Sequence, residues 1–136
     1  MSRVPDSAQV RAAVEAVREW LDDDADAGGP DTAAVPTPGR SALAAAVRGT
    51  VGVLAVELPG HAVEVRVPPF AAAQCVEGPR HTRGSPPNVV ETDARTWLLL
   101  ATGRLDWDAA VDSGRVRASG TRASAVAAGL PVVRTA

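Results

Sequence analysis

From Leu43 to Leu58 the apolar residues of this chain follow a helical period, and at Val63 that period gives way to strict alternation. Leu43, Ala44, Val47, Val51, Leu54, Ala55 and Leu58 lie on one side of a helix, whereas Val63, Val65 and Val67 alternate with Glu64 and Arg66. The same residues cannot satisfy both periods, so the chain contains a helix over 39–58 and a separate strand over 63–67 with one buried and one wet face. Pro59-Gly60 divides them and Pro68-Pro69 ends the strand. A fold that buries a helical stripe and a half-wet strand together is α+β.

The rest of the chain extends this reading. Asp6, with Gln9 three residues on, caps a helix over 7–22 whose stripe is Val10, Val14, Val17 and Leu21. The acidic, Gly/Pro-rich stretch that follows reads as a linker over 23–37; it lacks the glycine turn and distal Glu of a calcium loop. Thr37 then caps the helix over 39–58, with Pro38 in its first turn, although Gly49 and Gly52 interrupt its middle. After the first strand come a second over 70–76, a loop over 77–87 and a third strand over 88–91. Thr92 or Asp93 caps a helix carrying Trp97, Leu98 and Leu100, closed by Gly103. Asp106 caps a shorter helix carrying Trp107, Ala110 and Val111; a strand over 115–119 and a weak helix over 121–128 follow. The organisation is an N-terminal helix over 1–22, the linker, and an α+β domain over 38–136 with a small, mostly antiparallel sheet covered by helices.

Composition excludes several functions. All 14 cations are arginines, and the absence of lysine removes P-loop phosphate binding and Schiff-base catalysis. A net charge of −2 leaves no basic excess for nucleic acid. The first residues carry no apolar signal core and no apolar run is long enough to span a membrane, so a cytoplasmic protein is expected. One cysteine and two histidines provide neither a disulfide nor a structural zinc site. No Gly-x-Ser-x-Gly elbow and no dinucleotide-binding glycine motif occur.

Three features carry chemistry. Cys75 and His81 bracket five residues, as cysteine and arginine do in a phosphatase loop, but His81 stands where the arginine belongs; Cys75 beside Val76 reads more simply as an inert core residue. Arg80, His81 and Arg83 lie among glycines and prolines, with Glu77, Glu91 and Asp93 nearby. They either hold the loop by bidentate hydrogen bonds or present donors to an anionic head group. Trp97 and Trp107 project from consecutive helices in a chain with only three tryptophans and one phenylalanine. They either fill the core or, with Phe70, Leu100, Leu105 and Val111, line an apolar cavity.

The segment from Thr96 to Gly120, with its helix, Gly103-Arg104-Leu105 turn, second helix and Gly114-Arg115-Val116 strand, resembles the C-terminal half of the sterol carrier protein 2 domain. Val63-Glu64-Val65-Arg66-Val67-Pro68-Pro69-Phe70 and the stretch from Gln74 to Gly84 resemble a narrower group, the bacterial sterol carrier orthologues of actinobacteria. The resemblance implies a sheet of about five strands and an apolar tunnel for a sterol, fatty acid or acyl-CoA. The expectation is a non-enzymatic carrier with no catalytic residue, metal or cofactor. Its lining would be Phe70, Trp97, Leu100, Leu105, Trp107 and Val111, and its polar mouth Arg80, His81 and Arg83. The alternative implied is an accessory domain of a thiol-dependent, mycothiol-linked enzyme system acting through the Arg80–Arg83 loop, with a protein partner.

Overall fold

A computed structural model describes residues 5–23, 35–78 and 88–134. The first helix, α1 (Ser7–Ala16), starts where Asp6 accepts hydrogen bonds from the backbone N–H of Ala8 at 2.9 Å and Gln9 at 3.2 Å, as its sequence predicts. The expected single helix over 7–22 is instead two, because Val17 leaves helical geometry and α2 (Arg18–Asp22) begins beyond it. The bend has an identifiable partner. Whereas α1 packs on α3 (Arg40–Glu57), α2 turns toward α4 (Ala94–Ala101). There the Arg95 guanidinium donates to the carbonyl oxygens of Trp20 at 2.6 Å and Asp23 at 2.8 Å, satisfying acceptors that the helix end leaves open. Val10, Val14, Val17 and Leu21 are all buried, so the stripe survives the bend.

Helix α3 matches its predicted extent to within one residue at each end, but Gly39 rather than Thr37 is its N-cap. The glycines that weaken its sequence signal lie where other segments approach. A Cβ on Gly49 would come within 3.1 Å of Val10 on α1, and one on Gly52 within 2.9 Å of Pro5. Beyond α3, Gly60 has φ 143°, and a side chain there would overlap the carbonyl of Val76.

Four strands form one sheet among the described residues: β1 (Val63–Val67), β2 (Ala71–Cys75), β3 (Val89–Thr92) and β4 (Val116–Ser119), in the order β2-β1-β3-β4. Two pairings are antiparallel, but the central pair β1–β3 is parallel, aligning Glu64 with Val89 and Arg66 with Glu91. The sheet is thus mostly antiparallel, as expected, but it is mixed and has four strands among the described residues rather than about five. A parallel pair needs a long connection, and the chain between β1 and β3, residues 68–88, includes β2. The C-terminal segment adds no strand, because the N–H groups of Val132 and Val133 both donate to Ala101 O at the end of α4. In β1, Val63, Val65 and Val67 are buried while Glu64 and Arg66 pair with each other, as the alternation predicts.

Strand β2 is shorter than predicted at both ends. Phe70 belongs to the turn, with its N–H on Val67 O, and Val76 has a left-handed backbone, φ 70°, that takes the chain off the sheet. Val76 is held there by its N–H on Leu58 O and its carbonyl on the Ala62 N–H. Buried Asn88 joins the residue before β1 to the segment after β4, donating to Ala62 O and accepting from the Arg122 N–H. Asp93 caps α4 and Asp106 caps α5 (Trp107–Asp112). A short 3-10 helix (Ala123–Gly129) replaces the weak helix expected over 121–128.

Candidate functional site

The two tryptophans singled out by the sequence have different environments. Trp97 is fully buried, and its indole Nε1 donates to Thr50 Oγ1 at 2.8 Å. The Thr50 hydroxyl in turn donates to Ala46 O at 2.7 Å. A completely buried indole whose one polar atom is satisfied by α3 is a core side chain that ties α3 to α4. Trp107, by contrast, is half-buried at the edge of an open cleft.

A Schellman turn builds one wall of that cleft. At the end of α4 the Arg104 N–H donates to Leu99 O at 2.8 Å and the Gly103 N–H to Leu100 O at 3.2 Å, with Gly103 at φ 79°. This turn carries the chain back, so that Leu105 and Trp107 come beside Leu100. The opposite wall is Ala127, Leu130 and Pro131. It is fastened to α4 by the bonds from Val132 and Val133 to Ala101 O, at 2.9 and 3.1 Å. The cleft is open to solvent and has a volume of about 350 Å³, at the lower end of the range of small-molecule sites.

Asp106 and Asp108, both exposed, also line the cleft, Asp106 as the N-cap of α5 that accepts from the Ala109 N–H, and no residue lining the cleft is cationic. Arg104, just before Leu105, donates to Asp22 Oδ1 at 2.6 Å and so links the turn to α2. That hydrogen bond holds the Asp22 carboxyl below the ordinary carboxylate range.

Of the six expected lining residues, the cleft therefore brings together Leu100, Leu105 and Trp107. Trp97 lies in the core behind them, and Val111 packs against that core from α5. Phe70 borders a different depression, with Pro68, Pro69 and Arg66 at the β1–β2 turn. Arg80, His81 and Arg83, the expected polar mouth, lie outside the described residues, as does most of the expected linker. Cys75 is buried, and burial pushes its thiol up to about 11, so at neutral pH it is a protonated side chain of the core.

The sequence reading misses Ala127, Leu130 and Pro131. Their signal is faint, since Leu130-Pro131 resembles a chain end until its contact with α4 is known. A smaller groove of about 240 Å³ runs between α1, α3 and the C-terminal segment, lined by Val53, half-exposed Val56 and Val132, with Arg11 and Glu57 of opposite charge. No helix among the described residues is long and apolar enough to cross a membrane.

A family model described as bacterial SCP ortholog matches residues 39–132, which include α3, the four strands and every residue lining the cleft. Helices α1 and α2 lie outside the matched region. No curated protein matches the chain.

Proposed function

The chain belongs to the family of bacterial sterol carrier protein orthologues, and on that premise we propose that it is a non-enzymatic carrier that takes an apolar or amphipathic small molecule into the cleft beside Trp107. The observation that carries this reading is the convergence of Leu100, Leu105, Trp107, Leu130 and Pro131 on one solvent-open space of about 350 Å³. Covering roughly eight methylenes there gains about 6 kcal/mol at about 0.8 kcal/mol each. Before the entropic cost of binding, that corresponds to a dissociation constant in the tens of micromolar. The actual affinity is therefore weaker, which suits a carrier that loads and unloads. The protonated, buried thiol of Cys75 supports a role without nucleophilic chemistry at that residue.

Isothermal titration with octanol tests the proposal. The wild-type protein is expected to bind octanol saturably, with Trp107→Ala weakening binding about fivefold or more, the equivalent of one to two methylenes of contact. Absence of saturable binding, or an affinity indifferent to Trp107→Ala, contradicts it.

A further inference from the structure

We infer that α1 and α2 act as a clasp on the cleft, holding both of its walls, so that cargo binding and the docking of the N-terminal helices are coupled. The inference rests on the carrier reading and adds a control exerted from outside the cleft. Every residue lining the cleft lies within the family-matched residues 39–132, whereas both helices lie outside them. Helix α2 is tied to both ends of α4. At the start of α4 the Arg95 guanidinium lies over the Trp20 ring, 5.1 Å from its centroid, while donating to the Trp20 and Asp23 carbonyl oxygens. Beyond its far end Asp22 accepts from Arg104 Nε at 2.6 Å, and the Arg104 and Leu105 N–H groups both donate to Leu99 O. The turn that brings Leu105 and Trp107 to the cleft is therefore held by α2 as well as by α4.

The opposite wall reaches α1. Val132 and Val133 follow directly on Leu130 and Pro131 and line the smaller groove with Val10 and Arg11, and the Arg11 guanidinium donates to Arg134 O at 3.4 Å. One helical pair thus holds the two segments between which the cleft opens, and Val17, where α1 bends into α2, is buried in the core. A ligand that binds best between held walls is favoured by docked helices, and by reciprocity it favours their docking. The Asp22 side chain is 55% exposed and that of Arg104 17%, so this pair limits the coupling to about two- to fivefold.

Octanol affinity by isothermal titration, together with hydrogen exchange at the Leu21 amide of α2, tests the coupling. Asp22→Asn should weaken octanol binding about two- to fivefold. Asp22→Glu, which keeps the carboxylate, should restore most of that loss. Glu15→Gln, which removes the exposed pair of Glu15 with Arg18 and lines neither the cleft nor the smaller groove, should leave affinity unchanged. In the wild type, saturating octanol should slow exchange of the Leu21 amide, which donates to Val17 O, and the slowing should be smaller in Asp22→Asn. An octanol affinity unmoved by Asp22→Asn, or a slowing undiminished in that variant, overturns the coupling while leaving an apolar carrier standing. If the wild type does not bind octanol saturably, the carrier reading has failed and the coupling falls with it.

Discussion

Replacing Thr50 with valine removes one hydroxyl while keeping nearly the same shape, and it isolates the bond that makes Trp97 a core residue. Trp97 Nε1 donates to Thr50 Oγ1 at 2.8 Å, and both residues are fully buried. In Thr50→Val the indole N–H loses its acceptor with no solvent to replace it, which costs about 1–3 kcal/mol. The extra methyl recovers a fraction of a kcal/mol of hydrophobic burial at most, so the net loss should be about 1–2 kcal/mol. For a domain of this size that is a fall in Tm of roughly 4–8 °C. Thermal and urea unfolding of the wild type, Thr50→Val, Trp97→Phe and the double variant form a cycle that measures the coupling directly. A coupling energy above about 1 kcal/mol is expected, together with octanol affinity unchanged in Thr50→Val. A coupling near zero, or a Thr50→Val protein as stable as the wild type, refutes the assignment of Trp97 to the core network.

Two pH-linked outcomes follow from other residues. The Cys75 thiol is raised from 9.0 to about 11 in the folded protein, so between those values the unfolded chain loses a proton that the native one keeps. Stability should therefore fall by about 2–3 kcal/mol as pH rises through that interval, a slope absent in Cys75→Ala, and the thiol should resist a disulfide reagent at neutral pH until the protein is unfolded. Asp22 behaves in the opposite sense: Arg104 holds its pKa down, so its contribution is present above the ordinary carboxylate range and lost as pH falls through the lowered value. Because that pair is partly solvent-exposed, Asp22→Asn should cost no more than about 1 kcal/mol at neutral pH and nothing in strong acid, measured by urea unfolding.

The parts of this fold that local chemistry determines are legible in the sequence. The caps at Asp6, Asp93 and Asp106 depend on residues two or three positions away, and all three form, Asp93 being one of the two residues the sequence offers for α4, whereas the cap expected at Thr37 falls to Gly39. The Val63-Val65-Val67 alternation needs only a buried face, which the sheet provides. Distant partners decide what the sequence leaves open. The parallel pairing of β1 with β3 is a non-local choice, and neither strand carries a mark of its neighbour's direction. The helix α2 beyond the bend at Val17 is met by Arg95, more than seventy residues on in the chain, through the carbonyls of Trp20 and Asp23. Trp97 and Trp107 stand on consecutive helices, the first between Thr96 and Leu98 and the second between Asp106 and Asp108; Thr50 on α3 ties the first into the core, while Leu130 and Pro131 frame the other in a cleft. Phe70 is drawn away from that cleft by the tight turn that joins β1 to β2.

On the reading proposed above, one cleft, beside Trp107, receives the apolar part of the cargo. Intermolecular nuclear Overhauser contacts in a complex with octanol test it most directly. Contacts are expected from the octanol chain to Leu100, Leu105, Trp107 and Leu130, with none to Val53, Val56 or Phe70. Contacts confined to the groove at Val53 and Val56, or to the β1–β2 turn at Phe70, would contradict it.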